Sequence, residues 1–107
     1  MPGGLVTFPV LGVLVAPVVE ELAFRGLWFE RFIHTRWPVA GTLGLAVVFA
    51  NLHALASPLP WLTWPVTFAL ALVFSVIFLK TSSWQAAAVA HASYNASVIA
   101  PLWLRSA

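Results

Sequence analysis

The chain has 107 residues, 62% of them hydrophobic and only 7% charged, with a formal net charge of +2 and no cysteine. A soluble domain carries about 25% charged residues, so this composition, with a mean hydropathy of +0.97, marks an integral membrane protein. The small charge argues against a nucleic-acid partner, and the absence of cysteine excludes disulfides, thiolate metal sites and thiol nucleophiles.

A spanning helix takes about 20 residues. The chain therefore has room for about four, and the expected fold is an all-α, polytopic transmembrane helix bundle forming a single membrane-embedded domain over residues 1–107. The N-terminus has no basic region, and its apolar run leads into two acids, not a cleavage site, so it does not read as a removable signal peptide. The first apolar segment runs from about Leu5 to Phe32 and is interrupted by Pro17, Glu20, Glu21 and Arg25. It is too long for one straight crossing, so tilt or a kink near Pro17 is expected. Arg31, Thr35, Arg36, Trp37 and Pro38 make a polar break before the second segment, about Val39 to Ala56, which ends at the turn residues Ser57-Pro58-Leu59-Pro60. The third segment covers about Trp61 to Leu79 and ends at Lys80-Thr81-Ser82-Ser83, and the fourth covers about Trp84 to Leu104. Trp37, Trp61, Trp64, Trp84 and Trp103 fall at segment ends, where indoles prefer the headgroup layer. Up-down threading puts Arg31, Arg36 and Lys80 on one side, cytoplasmic by the positive-inside rule, with Arg105 opposite.

Ionisable groups within spanning segments are costly and face a bundle interior or a water-filled cavity. Here Glu21 with Arg25, Phe49 with His53, and His91 with Asn95 are each four residues apart, so each pair shares a helix face. At 1.5 Å per residue, Glu20 lies roughly 20 Å from the cytoplasmic end, His53 roughly 21 Å, His91 roughly 12 Å and Asn95 roughly 18 Å. Three helices thus bring these side chains to similar levels.

Glu20, turned away from Arg25, is the first choice for general base, because a poorly solvated carboxylate is a better proton acceptor. Glu21 and Arg25 form an ion pair that either supports the site or is purely structural. His53 either orients a water with Glu20 or stands beside it on a metal. His91 and Asn95 offer donors for an oxyanion. The plainer alternatives are that the histidines are packing residues and that Asn95 is an interhelical hydrogen bond, as Asn51 and Tyr94 are expected to be. His34, beside Thr35 and Arg36, reads as a solvated residue. The Asn95-Ala96-Ser97 sequon lies inside a spanning segment and is discounted.

These residues resemble the CPBP intramembrane protease family, which includes the CAAX prenyl endopeptidases and bacteriocin-processing and immunity proteins. Its Glu-Glu-x-x-x-Arg motif is matched by Glu20-Glu21-Leu22-Ala23-Phe24-Arg25, its Phe-x-x-x-His motif by Phe49 to His53, and its His-x-x-x-Asn motif by His91 to Asn95. The resemblance implies an all-helical membrane enzyme that hydrolyses a peptide bond of a membrane-associated, in some cases lipidated, protein or peptide, located in a bacterial or archaeal cytoplasmic membrane. It carries a catalytic set over to Glu20, Glu21, Arg25, His53, His91 and Asn95. Family members are described both as zinc enzymes and as metal-free glutamate hydrolases. Glu20, His53 and His91 could supply three ligands to a zinc or other divalent ion, so both chemistries stay open. Members usually carry helices before the first motif, whereas nineteen residues precede Glu20 here, so either a compact core or a chain lacking upstream helices is expected. Two rivals remain. One is a non-enzymatic immunity protein that binds a bacteriocin or partner. The other is a proton-coupled transporter fragment with Glu20, His53 and His91 as relay, against which stands the lack of an inverted repeat.

Overall fold

The computed structural model describes residues 10–106; the start of the first predicted segment, from Leu5, lies outside them. Over the described residues the fold is all-α, with four helices in sequence. The first, α1, is continuous over residues 11–33 but changes its winding along its length. Leu11–Val15 is π-helical, Ala16–Glu21 α-helical, Leu22–Phe29 π-helical and Glu30–Ile33 α-helical again. The others are regular: α2 is Pro38–Leu55, α3 is Pro60–Thr81 and α4 is Trp84–Ser106.

Both α2 and α3 begin with proline in the first turn, where its missing N–H costs nothing and its fixed φ suits the helix. The α3–α4 turn depends on Ser82, which closes α3 in the left-handed conformation (φ 53°) and returns its N–H to Phe78 O at 2.7 Å. Next to Pro17 the winding changes from π to α. The Ala16 N–H reaches back to Leu11 O, the π pattern, and Pro17 has no N–H to give. The Gly12 carbonyl is thereby left without a partner inside its own helix.

Helices α2 and α3 form an antiparallel hairpin joined through Ala46, Phe49 and Ala71, with Phe24 of α1 packed against them. A second cluster, Phe29, Leu45 and Phe78, gains Trp84 and so draws in all four helices. Two glycines allow close approach. A Cβ on Gly12 would collide with Ile99, and one on Gly41 would come within 2.8 Å of Phe32 Cγ. Between α2 and α3, the Trp64 indole N–H donates to Asn51 Oδ1 at 2.6 Å.

Charged and polar side chains are buried beside the apolar core, and large apolar ones face outward. Glu21, Arg25, Ser75 and His91 are buried, while Val39, Leu55 and Trp61 are 70%, 85% and 73% exposed. An outer surface this apolar, around ionised groups, suits lipid. Among the described residues, α2 and α3 are long and apolar enough to cross a membrane. That is two helices, against the four spans expected from the sequence. The difference has a physical source. Glu20, Glu21 and Arg25 interrupt the apolar run of α1, and α4 dilutes its own with Gln85, His91, Ser93, Asn95 and Ser97.

Candidate active site

The buried end of the site starts with a four-residue spacing. Glu21, Arg25 and Phe29 fall at i, i+4 and i+8 of α1 and are all fully buried. Arg25 Nη1 lies 3.1 Å from Glu21 Oε1 and 3.2 Å from Oε2. Nη2 of the same guanidinium donates to two acceptors on α3, the Ala71 carbonyl and Ser75 Oγ, the latter at 3.2 Å. The guanidinium sits between the rings of Phe49 and Phe74, 5.6 and 5.7 Å from their centroids, within the range of a cation–π contact. A fully buried charge is tolerable only when paired and hydrogen-bonded in this way.

From this pair the network continues to α4. His91 Nδ1 donates to Glu21 Oε2 at 2.7 Å. A carboxylate held by an arginine accepts only, so Nδ1 carries a proton and Nε2 is the ring nitrogen turned toward Glu20. That nitrogen lies 3.4 Å from Glu20 Oε2. On α2, His53 Nδ1 donates to Phe49 O at 2.7 Å, which fixes the same tautomer, and His53 Nε2 lies 3.6 Å from the same Glu20 oxygen. Each imidazole is backed by a phenylalanine: Phe49 on His53 with centroids 4.2 Å apart, and Phe74 on His91 at 4.8 Å.

Two imidazole Nε2 atoms and a carboxylate oxygen therefore converge from three helices. Among the described residues, Glu20 Oε2 is buried and receives no hydrogen bond. The rest of the side chain is within reach of solvent, since Glu20 and His53 are each 30% exposed while His91 is 4% exposed. Separations of 3.4–3.6 Å exceed those of direct hydrogen bonds and suit groups that meet through a shared water.

The structure brings Glu20, Glu21, Arg25, His53 and His91 into one connected group. Asn95 takes a different partner. Its Nδ2 donates to Gly12 O at 2.9 Å, the carbonyl that Pro17 and the π turn leave unpaired. One turn beyond His91, this residue thus ties α4 to the first half of α1. Asn95→Ala is expected to cost about 1–3 kcal/mol, because a part-buried carbonyl loses its donor. Unfolding midpoints in micelles measure this, and an unchanged midpoint would contradict the tether. At the far end of α1 His34 is exposed and pairs with Glu30 at 3.1 Å.

Three contributors escaped the sequence reading: Ala71, Phe74 and Ser75 of α3. Ser75 carried a signal, as the one polar side chain between Phe68 and Leu79. As for metal ligands, among the described residues no group of three or more His, Asp or Glu side chains is disposed to hold a metal ion.

The fold and site define a class: an all-α bundle with an acid–imidazole cluster inside an apolar, lipid-compatible shell. Residues 2–97 match the family model described as type II CAAX prenyl endopeptidase Rce1-like, and the chain belongs to that family. The family is one of membrane-embedded intramembrane proteases, which act on peptide or protein substrates. No curated protein and no solved structure matches the chain.

Proposed function

We propose that this chain is an intramembrane endopeptidase whose Glu20 activates the attacking water. The observation that carries this reading is the buried Glu20 Oε2, which accepts no hydrogen bond and faces Nε2 of both His53 and His91. A water held against these acceptors directs one O–H at Glu20 and the other at an imidazole. As its oxygen bonds to the scissile carbonyl carbon, Glu20 takes the proton. On collapse of the tetrahedral intermediate the C–N bond breaks and the leaving amine takes the proton back from Glu20. Asn95 has two amide protons and gives one to Gly12, so the second is the donor assigned to the oxyanion, while His91, whose Nδ1–H is held by Glu21, serves the water through Nε2. Glu21 and Arg25 hold His91 in the required tautomer. All four helices cross or enter the bilayer, and the single domain encloses the site between them.

The test is hydrolysis of a CAAX-type reporter peptide, with and without a prenyl group, by the protein in proteoliposomes. With water and carboxylate as the chemistry, a chelator is expected to leave the rate unchanged and purified protein to hold no stoichiometric zinc. Loss of activity on chelation, recovered by zinc, would instead assign Glu20, His53 and His91 to a metal. Absence of hydrolysis with either peptide, alongside proton flux or toxin binding, would remove the enzyme reading altogether.

A further inference from the structure

Helix α3 carries none of the three sequence motifs, yet one of its faces closes the buried end of the cluster. Ala71, Phe74 and Ser75 stand at i, i+3 and i+4 and so project to the same side. All three are buried, at 0%, 2% and 1% exposure. Ser75 has one hydroxyl proton and gives it to Ala71 O at 2.8 Å. Its lone pairs are thereby left to accept from Arg25, which they do at 3.2 Å. Phe74 lies nearly parallel to the His91 ring, with an interplanar angle of 20°.

We infer that this face of α3 positions His91, with Ser75 and Phe74 as positioning residues for the reaction. It acts by two routes that meet at one imidazole. In the first, Ser75 Oγ and Ala71 O anchor Arg25, Arg25 anchors Glu21, and Glu21 holds His91 Nδ1. In the second, the Phe74 ring lies against the imidazole and limits its rotation. Without the Ser75 hydroxyl, Arg25 Nη2 keeps the Ala71 carbonyl alone, and Nε of the same group already lacks a hydrogen bond among the described residues. The guanidinium is then free to pivot, the Glu21 carboxylate follows, and His91 loses the 2.7 Å contact that fixes its tautomer. A ring with Nδ1 unfixed presents either a lone pair or an N–H to Glu20. The catalytic geometry is lost although no catalytic residue has changed. The kinetic part of this inference rests on the hydrolase reading; the geometric part does not.

The experiment uses the full chain in micelles, with S75A, S75T, F74L and F74Y measured beside E20Q. In S75A and F74L, kcat is expected to fall about 10- to 100-fold with KM held within about twofold, the size of effect that an ångström of misplacement produces. The pH–rate profile should be displaced in both. S75T keeps the acceptor and F74Y keeps the stacking face, so each should recover most of the rate. Nitrogen NMR of labelled histidine reads the tautomer directly: a single Nδ1–H form of His91 in the unaltered protein and a mixture in S75A. If S75A does not fold, Ser75→Cys, a near-isosteric weak acceptor, carries the same comparison. Unchanged kcat, pH profile and His91 nitrogen shifts in S75A and F74L would overturn the positioning role, whatever E20Q does. Retained hydrolysis in E20Q would defeat the hydrolase reading, while the NMR arm would still decide the inference about His91.

Discussion

Glu20→Gln is expected to reduce peptide hydrolysis by about 10²–10⁴-fold, the usual contribution of a positioned general base, while the protein inserts and keeps its helical circular dichroism. The substitution preserves shape and removes only the capacity to take a proton from water. Its structural cost should be small, because Glu20 is 30% exposed and its Oε2 makes no hydrogen bond among the described residues. Glu21→Gln should behave differently. That side chain is fully buried and serves both Arg25 and His91, so losing its charge removes the counter-ion of Arg25 as well as the anchor of the imidazole. A Glu20→Gln variant that cleaves the reporter at the unaltered rate would eliminate Glu20 as the base. Equal damage to stability from both substitutions would mean that the two acids do not occupy the distinct environments described above.

The second large effect concerns stability. Arg25→Met is expected to cost about 3–5 kcal/mol, because it leaves Glu21 charged and buried with no cation. Since Arg25 also bridges α1 to Ala71 and Ser75 on α3, the loss should appear as lowered global stability rather than fraying of one helix. Arg25→Lys should recover only part of the difference, as an ammonium cannot place its donors in the same planar fork. The double variant Glu21→Gln with Arg25→Met discharges both partners and should be more stable than Arg25→Met alone, though inactive. Unfolding midpoints in mixed micelles measure all three. An Arg25→Met protein as stable as the parent would contradict a buried, multiply bonded guanidinium.

Residue pattern made some parts of this structure legible and hid others, for identifiable reasons. The ends of α2 and α3 were readable because proline opens each helix and Ser57–Pro60 and Lys80–Ser83 punctuate the chain. The four-residue spacings of Glu21–Arg25 and His91–Asn95 told which side chains share a face, since that follows from helix geometry alone. The winding of α1 was not readable. Its apolar residues suit α and π turns equally, and the register is decided by which carbonyls Pro17 fails to serve and by packing against α4. The partner of Asn95 was hidden for the same reason, because Gly12 O is free only in that register. On α3, Ser75 stood out by polarity, but Ala71 contributes a backbone oxygen and Phe74 is one aromatic in a run of apolar residues. Neither has a residue type that announces its role.

The ion pair at the heart of the site is formed within one helix, four residues apart. This has a consequence for biogenesis. Arg25 and Glu21 can neutralise each other as soon as α1 has formed, before α2, α3 and α4 have been made, whereas Glu20 has no cation on its own helix face. The later arrival of α3 and α4 then converts a local pairing into a machine part.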